Sequence, residues 1–175
     1  MSDNQKKLGG ASTMSLSGRV TISIRNAITK KLVRRMQSSN LIVGDGIIAL
    51  LYMIAQNTTD PAPSTFAVAS LRLGTGTTPP NDGDKNLETE MYAVNLTDSD
   101  KLVVPASREI VFSHLLTSSD GNGPKYAEAA LVMADASLPA YSKVFARYTH
   151  PPFTKTVDNE ALYEWHIGIR AASNT

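Results

Sequence analysis

The chain contains no cysteine, and aromatic residues make up only 6% of its 175 residues. Without cysteine there is no disulfide bridge and no thiolate-bound zinc or iron–sulfur centre. With so few aromatic side chains, the core has to be packed from aliphatic residues. A chain of this length suits one domain with a core large enough to be stable without cross-links.

The sequence has no stretch typical of an export signal or a membrane span. Its first residues are polar and include Lys6 and Lys7. The longest apolar run, residues 41–55, contains Asp45 and is shorter than the roughly 20 apolar residues that a helix needs to cross a bilayer. We therefore expect synthesis in the cytoplasm and no contact with a membrane.

The same apolar run predicts one buried α-helix near residues 42–56. Ile47, Leu50, Leu51 and Ile54 recur at helical spacing, with further apolar residues between them. A helix that is apolar nearly all round must be covered nearly all round, so we expect it to plug the core.

Most of the remaining sequence alternates between apolar and polar residues, which is typical of half-buried strands. The clearest case is residues 163–170, where Tyr163, Trp165, Ile167 and Ile169 alternate with less apolar residues. Seven to nine short strands separated by turns predict a mainly β fold, a jelly-roll-like two-sheet β-sandwich closed by the helix. The predicted strands are 20–25, 32–37, 66–73, 89–96, 108–116, 126–133, 143–149 and 163–170.

Charge is distributed unevenly along the chain. Residues 1–40 hold eight lysines and arginines against one aspartate, a net charge of +7, whereas the rest carries −6. Residues 1–18 lack any periodic pattern and are predicted to form an extended arm, with residues 19–175 as a single domain. We expect the arm to associate with other proteins; nucleic acid is disfavoured because the arm has no aromatic residues and the body is acidic. The predicted partner-binding residues are Lys6, Lys7, Arg19, Arg25, Arg34 and Arg35.

Two features of the sequence suggest a catalytic or phosphate-binding site, but a structural role explains each of them better. Glu128 lies inside an apolar strand, where an unpaired carboxylate is costly, so it should reach an arginine or backbone donors; a catalytic carboxylate is the alternative. The glycine-rich stretch 74–80 could cradle a phosphate, but no Lys-Ser/Thr pair or helix start follows it. We expect a turn that redirects the chain out of the sheet.

No metal, cofactor or catalytic site is predicted. The acidic residues of the stretch 81–90 do not match a calcium-binding loop, because the glycine is misplaced and Lys85 intrudes. His114, His150 and His166 lack the spacing of metal ligands, and no Gly-x-Ser-x-Gly motif is present.

Several short motifs occur in a fixed order between about residues 19 and 170. This succession resembles small β-rich structural proteins of tailed bacteriophages, which are found as capsid decoration (cement) proteins or as tail and fibre-associated proteins. The resemblance implies a virion role and no enzymatic activity. The motifs are SNLIVGDGI (39–47), LRLGTGTTPP (71–80), LETE (87–90), YAEAAL (126–131), FARYT (145–149), PFTK (152–155) and WHI (165–167).

From this resemblance we expect a capsid decoration protein, made in the host cytoplasm and located in the virion. It would form a homo-oligomer, a trimer, that binds the major capsid protein lattice through its β-sandwich and basic arm. The first alternative is a structural protein of the tail, baseplate, collar or fibre attachment. A carbohydrate-binding module is the alternative from another class, although the single tryptophan is predicted on a buried face. An enzyme ranks last.

Overall fold

A computed structural model of the protein describes residues 14–55, 67–134 and 142–171. Over these residues the chain forms ten β-strands and one α-helix. The elements in chain order are β1 (Met14–Asn26), β2 (Leu32–Ser39), β3 (Leu41–Ile42), α1 (Gly44–Ala55), β4 (Ala67–Gly74), β5 (Glu90–Asn95), β6 (Lys101–Val104), β7 (Glu109–Leu116), β8 (Lys125–Ala134), β9 (Ser142–Thr154) and β10 (Asn159–Ala171).

The described strands form two antiparallel sheets of five strands each. Sheet A has the order β2-β1-β10-β7-β6, and sheet B has the order β3-β9-β8-β4-β5. At the centre of sheet A, β1 and β10 pair over their whole length, from Met14 opposite Ala171 to Asn26 opposite Asn159. The predicted two-sheet β-sandwich is confirmed.

The two sheets share one core because apolar and polar residues alternate along their strands. In β10, the side chains of Tyr163, Trp165 and Ile167 are buried, whereas the intervening Glu164 and His166 are partly exposed. This is the predicted alternation as far as Ile167, and it places the tryptophan in the core as expected, whereas Ile169 is 44% exposed. Aliphatic residues from β1, β4 and β8 complete the packing.

Helix α1 forms where it was predicted, but the expectation that it is covered nearly all round is wrong. Ile47, Ile48 and Leu51 are 44%, 50% and 60% exposed. The helix turns small residues toward β9 instead: a Cβ on Gly46 would lie 2.5 Å from the Phe145 carbonyl oxygen, and Ala49 is buried. Close approach of the helix to the strand therefore requires small residues on that side. The side chains of Ile47, Ile48 and Leu51 are left outside, whereas Leu50 packs against the core.

The strand boundaries differ from the prediction at the N-terminal side. Strand β1 begins at Met14 where Val20 was expected, so residues 14–18 of the predicted arm lie in a strand opposite β10. Residues 1–13, with Lys6 and Lys7, lie outside the described residues. Strands β3 and β6 were not predicted, because two and four residues are too few to show an alternation.

Strand β9 also runs further than predicted, through Pro151 and Pro152 to Thr154. The pairing with β8 shifts register at this place: Tyr126 lies opposite Phe153, but Glu128 lies opposite Thr149. The prolines lie in the resulting irregularity, where a missing backbone N–H does not interrupt the ladder.

Candidate functional site

The one carboxylate that lies inside an apolar strand, Glu128, is completely buried and is bound by the chain itself. Arg147 on the neighbouring strand β9 donates to Glu128 Oε2 from Nη2 at 2.7 Å and from Nε at 3.1 Å. Backbone N–H groups of Gly76 and Thr89 donate to Oε1 at 3.0 and 2.9 Å, and that of Glu88 donates to Oε2 at 3.1 Å. The prediction that Glu128 reaches an arginine or backbone donors is confirmed, and it reaches both.

The glycines of the predicted turn allow this carboxylate to enter the loop. A Cβ on Gly74 would lie 2.4 Å from Glu128 Oε1, and a Cβ on Gly76 would lie 2.6 Å from the same atom. Only residues without a side chain permit the backbone to approach so closely. The glycine-rich stretch therefore does point an N–H group at an anion, but the anion is the protein's own glutamate.

Further carboxylates fasten the same loop. Asp84 Oδ2 accepts from Arg147 Nη1 at 2.8 Å and from the Asn81 N–H at 2.9 Å. Glu88 Oε2 accepts the N–H groups of Thr77 and Thr78, each at 3.0 Å. Hydrogen bonds from Thr78 foremost, and then from the Thr77 backbone, hold the pKa of the Glu88 carboxyl below its ordinary value.

These bonds assign the acidic loop a structural role. We call Glu128, Arg147 and Asp84, with the loop 75–89 that they hold, the carboxylate clamp. Its oxygens bind backbone N–H groups and a guanidinium, so they are not arranged around a common point as calcium ligands are. Within the described ranges no group of three or more His, Asp or Glu side chains could hold a metal ion.

The histidines lie in separate surroundings. His114 Nδ1 is 2.9 Å from Asp100 Oδ1, and His166 Nδ1 is 3.6 Å from Glu109 Oε2 on the outer face of sheet A. His150 is buried between the sheets beside aromatic rings, and its burial lowers its pKa to about 4. A neutral imidazole in the core packs as an aromatic ring does, so His150 has a structural role.

The predicted partner-binding arginines do not form one cluster. Arg19, Arg25 and Arg35 are exposed on the outer face of sheet A, where Arg25 lies opposite Glu160 of β10. Arg19 and Arg25 are six positions apart on one strand, which separates them by about 20 Å. Arg34 faces the other way, and its Nη1 donates to the Pro152 carbonyl oxygen of sheet B at 3.2 Å. The first three therefore form a line of charge, and Arg34 links the sheets.

Sequence reasoning missed the exposed face of helix α1. We call Ile47, Ile48 and Leu51 the helix patch; all three side chains are exposed. The nearest charge on the helix, Asp45, is bound by Lys143 Nζ at 3.2 Å and does not interrupt the patch. Gly46 and Ala49, three residues apart, could have revealed which side of the helix meets the sheet.

Comparison of the chain with known protein families, with curated proteins and with solved structures gives no match. Among the described residues, no helix is both long and apolar enough to cross a membrane.

Proposed function

We propose that the protein is a structural component of a tailed-phage virion that acts by binding other protein chains. The order of its sequence motifs supports this role, because it resembles that of small β-rich virion proteins. The β-sandwich supports it as well, since a clamped, antiparallel fold gives a rigid body that can present fixed surfaces. The buried Glu128 and Arg147 hold the protein's own loop 75–89.

The observation that carries the proposal is the helix patch. Large aliphatic side chains exposed together on one helix are typical of a surface that becomes covered by another protein. Each such side chain contributes about 1.5–3 kcal/mol when it passes from full exposure to full burial. The helix patch can therefore supply the apolar centre of an interface, with the exposed arginines of sheet A contributing charged contacts elsewhere.

Within the virion, we propose the head as the location and capsid decoration as the role. A protein that binds only the assembled lattice stabilises it by mass action, by about 2.7 kcal/mol per site when its free concentration is 100 times Kd. No chemical step is needed. The predicted trimer and the basic N-terminal residues belong to this proposal.

The test is occupancy on heads that lack the endogenous protein. In the test variant, Ile47, Ile48 and Leu51 are replaced by glutamine, which keeps the helix favourable while removing the apolar face. The matched control replaces three exposed aliphatic residues of the β1–β2 hairpin, Ile28, Leu32 and Val33, by glutamine. We expect at least tenfold lower occupancy for the helix variant and unchanged occupancy for the control. Equal occupancy of both variants would contradict the proposal.

Labelling a tagged copy and imaging it in negative stain distinguishes a location in the tail from one on the head. Label spread over the head supports decoration, and a single cluster supports a place in the tail, baseplate, collar or fibre attachment. Deletion of residues 2–13, which leaves β1 intact, tests whether the basic segment contributes to binding.

A carbohydrate-binding role gains no support from the core. Trp165 is buried beneath the sheet, so it is not available as a stacking platform for a sugar ring. A glycan array that gives a hit would favour this alternative over a virion role.

A further inference from the structure

An apolar groove opens between the two sheets, on the inner face of sheet B, whereas the carboxylate clamp lies on the outer face of that sheet with Ala130 and Val132. It has a volume of about 530 Å³, within the range of about 300–1,000 Å³ that is typical of small-molecule sites. Buried side chains of Phe112, Met133 and Phe145 form its floor, and exposed side chains of Val103 and Ile169 lie at its mouth. The groove therefore reaches from solvent into the core.

The chemistry of the lining discriminates between two classes of occupant. Its described residues expose almost only carbon to the groove. A peptide would bring backbone N–H and C=O groups that find no hydrogen-bonding partners there, which is costly. An alkyl chain has no such groups and is stabilised by every methylene that it buries. The lining favours an alkyl chain.

Two lining residues of the groove are cationic. Lys101 lies opposite Phe112 and Arg108 lies in the β6–β7 turn, and neither side chain has a hydrogen-bonding or ionic partner within the part of the chain that the structure describes. The acidic residue beside them, Glu109, is engaged elsewhere: it accepts from Ser107 Oγ at 3.3 Å and lies 3.9 Å from Arg170 Nη2. An anionic group at the β6–β7 turn would meet the positive charge of Arg108, which has no partner among the described residues.

The backbone at Arg108 has an unfavourable conformation for a residue with a side chain. Arg108 has a φ of 55°, in the left-handed region that favours glycine, and Lys30 has a φ of 58° in the β1–β2 turn. At Lys30 the side chain compensates for the backbone, because its Nζ binds Glu160 at 2.7 Å. Arg108 has the same backbone conformation without such a partner in the described residues.

We propose that this groove binds a single-chain amphiphile with an anionic head. The alkyl chain lies between the sheets on Phe112, Met133 and Phe145, and the head lies at Arg108. None of Ile47, Ile48 and Leu51 lines the groove, although Leu50 of the same helix does, so the test of this site is independent of the proposed function. Glutamine variants of the helix patch should bind the amphiphile as the parent protein does.

The first experiment is calorimetric titration of the full chain with dodecanoate and decanoate, each below its critical micelle concentration. Dodecanoate should bind about 15-fold more tightly than decanoate, since each buried methylene contributes about 0.8 kcal/mol, or about fourfold. Dodecyltrimethylammonium, with the same alkyl chain and a cationic head, should bind more weakly than dodecanoate. Absence of binding, or affinity independent of chain length or head charge, would overturn the proposal.

The second experiment uses variants that alter the mouth. Arg108→Gly keeps the left-handed backbone favourable and removes the guanidinium; it should weaken dodecanoate binding about fivefold, as expected of one partly exposed charge pair. Lys125→Gln, which removes an exposed lysine from the other end of β8, is the matched control and should have no effect. Equal affinities of these two variants would overturn the assignment of the head.

Val103→Asp tests the remaining occupant, a second copy of this chain. The substitution lies at an exposed position, so the fold should tolerate it. We expect at least tenfold weaker binding of dodecanoate and unchanged sedimentation. If the parent protein is instead an oligomer that this variant dissociates, and dodecanoate does not bind the parent, the groove is a protein interface and the proposal is overturned.

Discussion

On the outer face of sheet B the carboxylate clamp matches its buried charges with partners from the same chain, whereas the groove on the inner face leaves apolar side chains exposed. Strand β8 connects the two, since Glu128 near its start lies in the clamp and Met133 near its end lies on the floor of the groove. The difference lies in what covers each face: loop 75–89, held by hydrogen bonds, covers the clamp residues, and no described element covers the groove.

This difference indicates which region contributes to the stability of the fold and which is available for binding. Buried ion pairs are costly to desolvate, and removing one partner is more costly still, so a clamp of this kind tends to hold a single loop conformation. An exposed apolar groove contributes nothing to the stability of the isolated chain and gains free energy only when it is covered. We therefore expect substitutions in the clamp to change folding, and substitutions at the groove to change binding.

The largest effect is expected from Glu128→Gln. It leaves Arg147 buried with less negative charge beside it and places an amide N–H₂ among backbone N–H donors, so we expect a loss of about 3–5 kcal/mol in the free energy of unfolding. Urea denaturation followed by circular dichroism measures it. The control is Glu90→Gln, which breaks the partly exposed pair with Arg72 and should cost less than about 1 kcal/mol. A loss no larger than that of the control would show that the clamp does not govern stability.

The next largest expected effect is a loss of folding stability at low pH, caused by protonation of the buried His150. Its folded-state pKa of about 4 lies below the ordinary value of 6.5, so the unfolded chain binds a proton at a higher pH than the folded chain. Stability is then complete above about pH 6.5 and declines as the pH decreases toward 4, by on the order of 3 kcal/mol.

The measurement is the urea midpoint of the parent protein and of His150→Phe between pH 7 and pH 4. Phenylalanine keeps an aromatic ring beside Phe153 and Tyr163 and has no proton to bind. Carboxylates titrate in both proteins, so the difference between their pH profiles isolates the histidine. Parallel profiles would indicate that the imidazole is protonated with little penalty in the folded state.

A smaller loss is expected from Gly76→Ala. The added Cβ would lie 2.4 Å from the Glu88 Cβ and 2.6 Å from Glu128 Oε1, so the loop has to shift, at a cost of about 1–3 kcal/mol. Gly83→Ala, in the same loop, meets no atom closer than 3.5 Å and should change stability by less than about 0.5 kcal/mol. Thermal denaturation of both variants tests the pair, and equal losses would mean that the close approach at Gly76 is relieved without cost.

The clamp could be anticipated from sequence only in part. Glu128 was conspicuous because a charge inside an apolar strand needs partners, and the structure supplies them. The identity of those partners could not be predicted from the sequence. Arg147 is 19 positions from Glu128 and meets it through the pairing of β8 with β9. Asp84 is 63 positions from Arg147 and meets it because the loop folds back onto the sheet. The glycines of the loop were correctly assigned to a turn, but the anion in that turn was not foreseen.

For the helix and the groove, the sequence predicted the position of the elements but not which apolar side chains are exposed. Apolar composition predicted where α1 begins and ends, yet composition alone does not tell which apolar residues are covered, and Ile47 and Leu51 proved exposed. The groove arises where the ends of several strands from both sheets meet, so no single stretch of sequence signals it. Strand alternation predicts which residues point inward, but not whether the space between them is filled.

The smallest expected change in the free energy of unfolding comes from substitutions at Arg108 and Lys30, the two turn residues with left-handed backbone. Replacing Arg108 by glycine removes an unfavourable backbone conformation, so the free energy of unfolding should increase by about 0.5–1 kcal/mol. Lys30→Gly relieves the same conformation but also removes the bond to Glu160, so its two contributions should nearly cancel. Urea denaturation of both variants distinguishes these outcomes. A gain at Arg108, combined with the weaker dodecanoate binding expected of the same variant, would mean that arginine is retained there at the expense of stability because the mouth of the groove requires a positive charge.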